Sequence, residues 1–376
     1  MRNATMKRLI LLGGGHAHVH VLEALAGRAL PGCEVVLVSP HARQIYSGML
    51  PGWIAGHYPI EACALDLARL AADAGVRFVQ AAGEGLDAAG RALACNDGTQ
   101  LDYDLLSIDT GSRTCFEAIA GAAEHALPVR PIECFVGAIE ALLSRCREAR
   151  DNPVTIIGGG VAAVELAFAI HHRLAGEGVS PVLSVIGDAG LPLDGLARRL
   201  QWKCLQMLSE RGIQWHAGSR VAALDGTHAV LSDGTRIPAG YALLVTGASA
   251  PLWPAGSGLA LDPEGFVRVA PTLQSVSHPG VFAAGDVAAY ADQRPKSGVF
   301  AVRAGPVLAD NLRRAVQGEP LAEWRPQRRA LYLVATGGRY ALGAWGPLGW
   351  WGGWVWRWKD HIDRSFMRRF GNSHVG

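Results

Sequence analysis

The chain is 376 residues long, which at about 150 residues per domain gives two or three domains and excludes a single small binding module. Charged residues make up only 18% and glycines number 47, the profile of a core-rich, glycine-rich globular chain and not of a disordered one. Thirty-five Lys and Arg against 33 Asp and Glu leave a formal charge of +2, too little for a whole-molecule field that draws in nucleic acid.

At the N-terminus Arg2, Lys7 and Arg8 precede a short apolar run, Leu9-Ile10-Leu11-Leu12, which Gly13-Gly14-Gly15 ends. The run is too short for a signal sequence and reads as a first strand. No stretch of 18 apolar residues occurs, so no transmembrane helix is expected. In RLILLGGGHAHVHVLEAL the residues Val19, Leu22 and Leu25 have helical spacing, and the segment reads as the start of a βαβ unit. Gly13 suits the tight turn, Gly15 lets backbone approach a pyrophosphate, and a helix starting near His16 aims its free N–H groups at the phosphates. His18 stands where a third glycine is usual, which argues against the closest helix-to-strand packing. His16, His18 and His20 read as capping or solvent-facing groups, since no acidic or cysteine ligand for a metal lies near them in sequence. The second strand, in CEVVLVSP, ends at Ser39, a hydroxyl where the pattern usually has a ribose-binding acid.

The plan then repeats. A CNDGTQL hairpin turn leads into LDYDLLSIDTGSRT, a strand that exits at Thr110-Gly111. A second glycine-rich turn follows in PVTIIGGGVAAVELAFA, with Gly158, Gly160 and Ala163 on the dinucleotide fingerprint and Glu165 two positions on. Its second strand, in VLSVIGDAG, ends at Ile186 and Gly187 beside Asp188; no Arg lies between Ile186 and Asp194, which favours NADH over NADPH. LSDGTRI and GYALLVTGASAPLWP supply another hairpin and another Thr-Gly exit, Thr246-Gly247. Further on, HPGVFAAGDVAAY ends a strand at Gly285-Asp286, and AGPVLADNLRRAV reads as a helix. The seven cysteines, Cys33, Cys63, Cys95, Cys115, Cys134, Cys146 and Cys204, are never closer than twelve positions and read as buried or idle thiols.

Six of the eleven tryptophans fall within the 14 residues from Trp345 to Trp358. From Trp354 a helix is expected, with Trp354, Trp358, Ile362, Phe366 and Phe370 on one broad face and Arg357, Arg364 and Arg368 opposite. Such a helix suits a lipid headgroup layer, or a protein surface that covers the stripe.

The two turns, the Thr-Gly exits and Gly285-Asp286 together resemble the pyridine nucleotide-disulfide oxidoreductase family of two-dinucleotide flavoproteins over nearly the whole chain. QIYSGMLPGWIAGHY, PKSGVFAVRAGPVLADNL and WVWRWKDHIDRSFMRRF look like the type II NADH dehydrogenase branch, and more narrowly like oxidoreductases found beside or fused to selenophosphate synthetase. The resemblance implies an α/β fold with two Rossmann-like domains. A discontinuous FAD domain takes residues 1–117 and 251–325, an NAD(P)H domain takes 118–250, and a short amphipathic tail takes 326–376. It implies FAD as cofactor and NADH or NADPH as co-substrate. The FAD site would comprise Gly13, Gly14, Gly15, His16, Ala17, His18, Ser39, Pro40, Gly83, Thr110, Gly111, Gly285 and Asp286, and the NAD(P)H site Gly158, Gly159, Gly160 and Gly187. Glu165 would lie near the nicotinamide, Lys296 and Tyr46 would line the second-substrate pocket, and Arg303 would bring positive charge to the reduced flavin. No cysteine stands at Tyr46-Ser47-Gly48-Met49, where a disulfide reductase of this fold carries a redox pair, and none follows Cys204. Thiol relay is therefore disfavoured. The expected acceptor is a quinone, met at the cytoplasmic face of a membrane through Trp350–Phe370, with a homodimer as the other partner and no nucleic acid. The alternatives are a selenium, sulfur or other soluble acceptor, or a redox-inactive nucleotide sensor, the latter motivated by Ser39 and Gly187 standing where acids are usual.

Overall fold

The computed structural model describes residues 6–149, 152–292, 295–327 and 329–371; Arg2 and residues 372–376 of the expected tail lie outside them. The first unit contributes β1 (Lys7–Leu12), α1 (His16–Gly27), β2 (Cys33–Val38), β3 (Arg77–Val79) and β4 (Leu105–Ile108). The second contributes β5 (Ala126–Pro128), β6 (Val154–Ile157), α2 (Val161–Gly176), β7 (Leu183–Ile186), β8 (Gln214–His216) and β9 (Tyr241–Leu244). The chain then returns through β10 (Val281–Ala283) and α3 (Gly298–Gln317).

Two parallel five-stranded sheets result, in the orders β10-β4-β1-β2-β3 and β5-β9-β6-β7-β8. In each, the strand feeding a glycine turn lies at the centre, and Leu9–Leu12 and Val154–Ile157 are buried, as the middle of a parallel sheet covered on both faces requires. Leu9 pairs with Val35 and Leu105, and Ile156 with Val185 and Leu243. The two hairpin turns read from sequence sit inside three-stranded antiparallel sheets, one per unit. The two crossings between the units pair with each other, Arg113–Thr114 running antiparallel to Ala248–Ser249. All seven cysteines are free.

The end of the chain holds more than a helix. Strands β11 (Leu331–Ala335), β12 (Ala341–Trp345) and β13 (Leu348–Gly352) form an antiparallel sheet that carries Trp345, Trp350 and Trp351, and α4 (Gly353–Phe370) follows. The expected stripe on α4 divides. Trp354, Trp358 and Ile362 are 51%, 39% and 39% exposed, whereas Phe366 and Phe370 pack against α1 and Tyr46. The reason is geometric: at 3.6 residues per turn, a row of every fourth residue winds about 40° per step and about 160° from Trp354 to Phe370. The face turned inward instead carries Val355, Lys359 and Asp363, and Arg369 ties the helix to Glu23 of α1 by two hydrogen bonds of 2.7 and 2.8 Å.

Helix α3 crosses α1 where Gly305 meets His20, and a Cβ on that glycine would stand 2.6 Å from the His20 ring. Gly305→Val is expected to cost about 1–3 kcal/mol by overpacking, read as a lower urea midpoint at 25 °C.

Candidate functional site

The turn after β1 is shaped by a residue the motif reading passed over. Asp109, the residue after β4, is buried, and its Oδ2 accepts the N–H groups of Ala17 and His18 at 2.8 and 3.0 Å. It thereby satisfies two of the free donors at the start of α1. A Cβ on Gly15 would run into this carboxylate, one on Gly285 would come within 2.5 Å of it, and one on Gly13, whose φ is +96°, would strike the Asp109 backbone. These three glycines are thus demanded by close approach of chain to carboxylate. Burial raises the Asp109 carboxyl to about 7. A signal for it existed in the sequence, an acid wedged between an apolar strand and Thr110-Gly111, but its partners lie more than ninety positions away.

The three histidines are not surface groups. His18 is fully buried, with Nδ1 bonded to the Gly13 carbonyl at 2.6 Å and Nε2 to the Ser107 hydroxyl at 2.8 Å, so it bridges helix and strand where a third glycine would have let them close. His20 is buried against Phe370 and Gly305. His16 stands between Tyr46 and Phe366, at 5.6 and 6.0 Å, and its enclosed Nε2 has no protein partner. Burial pulls all three down to about 4, so they are neutral at physiological pH.

The other expected FAD residues surround this turn. Ser39 Oγ lies 3.2 Å from the Cβ position of Gly14 but donates to the His41 carbonyl of its own loop, with Pro40 exposed between them. Gly83 packs on Leu12, and Thr110 is exposed beside Gly111. Asp286 accepts the Ser112 hydroxyl at 3.2 Å and pairs with Arg130 at 3.8 Å. The N-terminus of α3 meets Ser47 and His16, which stand 3.6 and 4.0 Å from the Cβ position of Gly298.

The second turn repeats the geometry of the first. Gly158 has a φ of +136° and presses on the Val245 carbonyl, and Thr246 beside it carries a buried hydroxyl without a protein partner. Gly160 is open, while Gly159 and Gly187 both lie against the Trp215 indole. Both turns fit a dinucleotide: each has a glycine cradle with no room for a Cβ at its first position, and each has an enclosed polar atom left unpaired, His16 Nε2 or Thr246 Oγ1.

Of the four residues expected to act in catalysis, two come together. Tyr46 stacks on Phe366 at 4.4 Å and donates to Asp363 Oδ1 at 3.3 Å. Asp363 accepts from Lys359 Nζ at 2.8 Å, and the same ammonium donates to the Gly48 carbonyl. Glu165 on α2 accepts the Ala335 N–H at 2.8 Å and lies within electrostatic reach of Lys359 and Asp363. Burial pushes Glu165 up to about 7. Burial alone would lower Lys359, but Asp363 and Glu165 more than reverse it and its ammonium ends above the usual lysine range. Lys359 and Asp363 escaped the sequence reading because the every-fourth-residue row drew attention to the other side of α4. Lys296 and Arg303 stand elsewhere. Lys296 donates to the Ala288 carbonyl at 2.6 Å and sits 3.7 Å over the Phe266 ring; Arg303 is exposed on the solvent face of α3.

Residues 7–305 match the model of the pyridine nucleotide-disulphide oxidoreductase family. The chain is similar to an NADH dehydrogenase-like protein of Mycobacterium tuberculosis, 26% identical over 76% of this chain and 73% of that one. It is similar to the alternative NAD(P)H-ubiquinone oxidoreductase C1 of Arabidopsis thaliana, 24% identical over 89% and 72%. Its fold is that of the sulfide:quinone oxidoreductase of Aquifex aeolicus, with a TM-score of 0.81 at 20% identity, covering 96% of this chain and 90% of that one.

Asp109→Ala leaves two buried N–H groups unpaired and is expected to destabilise the protein by about 2–4 kcal/mol. Asp109→Asn, which keeps an acceptor, is expected to recover most of that; urea unfolding of the two variants checks the difference.

Proposed function

The chain belongs to the pyridine nucleotide-disulphide oxidoreductase family, and from that premise we propose an FAD-dependent NADH:quinone oxidoreductase that works at the cytoplasmic face of a membrane. Bound FAD supplies the two-electron chemistry between donor and acceptor. The residues that would hold it are the Gly13–Gly15 turn, His16, Asp286 and the start of α3, whose positive end favours the negative charge of a reduced flavin. The Gly158–Gly160 turn, with Thr246, would hold the nicotinamide dinucleotide.

The observation that carries the reading is the enclosed Tyr46–Asp363–Lys359–Glu165 group. Oxidising NADH with a quinone consumes one proton from solution for each quinol made, and this group can deliver it. Glu165, at about 7, exchanges a proton near neutral pH, Lys359 and Asp363 set the charge around it, and the Tyr46 hydroxyl is held on Asp363 at the edge of the same group. Cys63 stands near the same charges, and burial pushes its thiol up to about 12, so thiolate chemistry does not compete. The relatives named for quinone reduction agree with this choice of acceptor.

The same helix supports a membrane seat. No described helix is long and apolar enough to cross a bilayer. On the outer side of α4, the Trp358 ring lies 6.4 Å by centroid from both Trp354 and Trp350, the last contributed by β13, and Arg357, Arg364 and Arg368 are exposed on the same helix, a pattern suited to the headgroup layer.

In stopped-flow experiments, Glu165→Gln is expected to leave bleaching of the flavin by NADH unchanged and to slow its reoxidation by a water-soluble quinone about 100-fold. Wild-type reoxidation is expected to fall as pH rises through about 7, where Glu165 loses its proton, and the variant to lack that limb. A flavoprotein that neither NADH nor NADPH bleaches would sink the proposal. For the membrane, a Trp354→Ser, Trp358→Ser, Ile362→Ser triple variant is expected to lose about tenfold in sedimentation with anionic vesicles while keeping its turnover with soluble quinone.

A further inference from the structure

We infer that Trp215 is the adenine-recognition residue of the second nucleotide site: its indole is the floor on which the adenine of NAD(P)H stacks. The inference deepens the proposed function and rests on that site receiving the nicotinamide donor.

In a parallel α/β sheet a dinucleotide lies across the carboxyl ends of the central strands, with its adenosine half over the end of the strand after the glycine turn. Here those ends are Ile157 of β6 and Ile186 of β7, followed by Gly158-Gly159 and Gly187. Trp215 comes from the next strand outward, β8, which pairs Trp215 with Val185. Its benzo ring reaches back across both ends. A Cβ on Gly159 would stand 2.8 Å from Cη2, and one on Gly187 would run into the same ring. The ring is fixed at its other edge, where Nε1 donates to the Gly190 carbonyl at 3.3 Å, and the residue packs against the core while staying only partly buried.

This accounts for a departure noted in the sequence. The position that normally offers a carboxylate to the adenosine ribose is Gly187, and it is glycine because the indole occupies the space any side chain would need. Asp188, the next residue, is exposed. With glycine at the strand-end position and Asp188 one residue beyond it, the aromatic surface is what lies under the adenosine, and stacking of a base on an aromatic ring is a large enough interaction to take over. The recognition would then rest on the base, which NADH and NADPH share.

The test measures binding to the FAD-loaded protein by calorimetry, using NADH, ADP-ribose and reduced nicotinamide mononucleotide, which lacks adenosine. Trp215→Leu, which keeps apolar bulk but no aromatic face, is expected to weaken NADH and ADP-ribose about tenfold and to leave the mononucleotide unchanged. Trp215→Phe is expected to restore most of the loss, and equal flavin content and thermal midpoints establish that both variants are folded. Wild-type affinity for NADH in Trp215→Leu, tighter binding, or an equal loss for the mononucleotide overturns the inference while leaving the oxidoreductase reading intact. Failure of the wild-type protein to bind NADH or NADPH at all overturns both.

Discussion

One buried carboxylate organises the first nucleotide turn. Asp109 brings the end of β4 against the first turn of α1, and its hydrogen bonds to Ala17 and His18 fix where that helix begins. Gly13, Gly15 and Gly285 have no room for a side chain because of it, and His18 fills the gap on the other side by reaching both Gly13 and Ser107. Burying a carboxylate is costly, and the positive end of α1 with its two donors offsets that cost. The glycine run that is so conspicuous in the sequence is thus in part a consequence of an acid ninety positions downstream.

What could be read from the sequence follows a physical divide. The two glycine turns, the two hairpins and the Thr-Gly exits were legible because backbone geometry restricts them to a few residue types in a fixed local order. The starts of α1 at His16 and of α4 at Gly353 fell close to where the spacing put them. Partners made by tertiary packing were not legible. Nothing local tells that Asp109 caps a helix, that Lys359 and Asp363 face inward, or that Trp215 lies over Gly187. The histidines of α1 escape a local reading for the same reason: polar residues at a helix start ordinarily face water, whereas here α3 and α4 cover His16 and His20, and His18 turns inward onto Gly13 and Ser107. The strands before α4 were hidden by a tryptophan-rich composition that resembles a single amphipathic segment, although glycines at 337 and 346, both at positive φ, mark their turns.

Helix α4 joins parts of the molecule that the glycine turns leave separate. Its Phe366, Phe370 and Arg369 hold α1, its Lys359 reaches Gly48, and its charged face stands opposite Glu165 of α2. Its outer face carries the exposed indoles. One helix of 18 residues thus contributes buried charge on one side and apolar contact surface on the other.

The paired crossings, Arg113–Thr114 beside Ala248–Ser249, bear on how such a chain can be assembled. Entry to the second sheet and exit from it lie side by side in a two-stranded ladder of their own, outside both five-stranded sheets. A segment that leaves and re-enters its host at neighbouring chain positions can be exchanged without reordering the host's strands. The two halves, each with its glycine turn, hairpin and Thr-Gly exit, thus carry the same local plan at two places in one continuous chain.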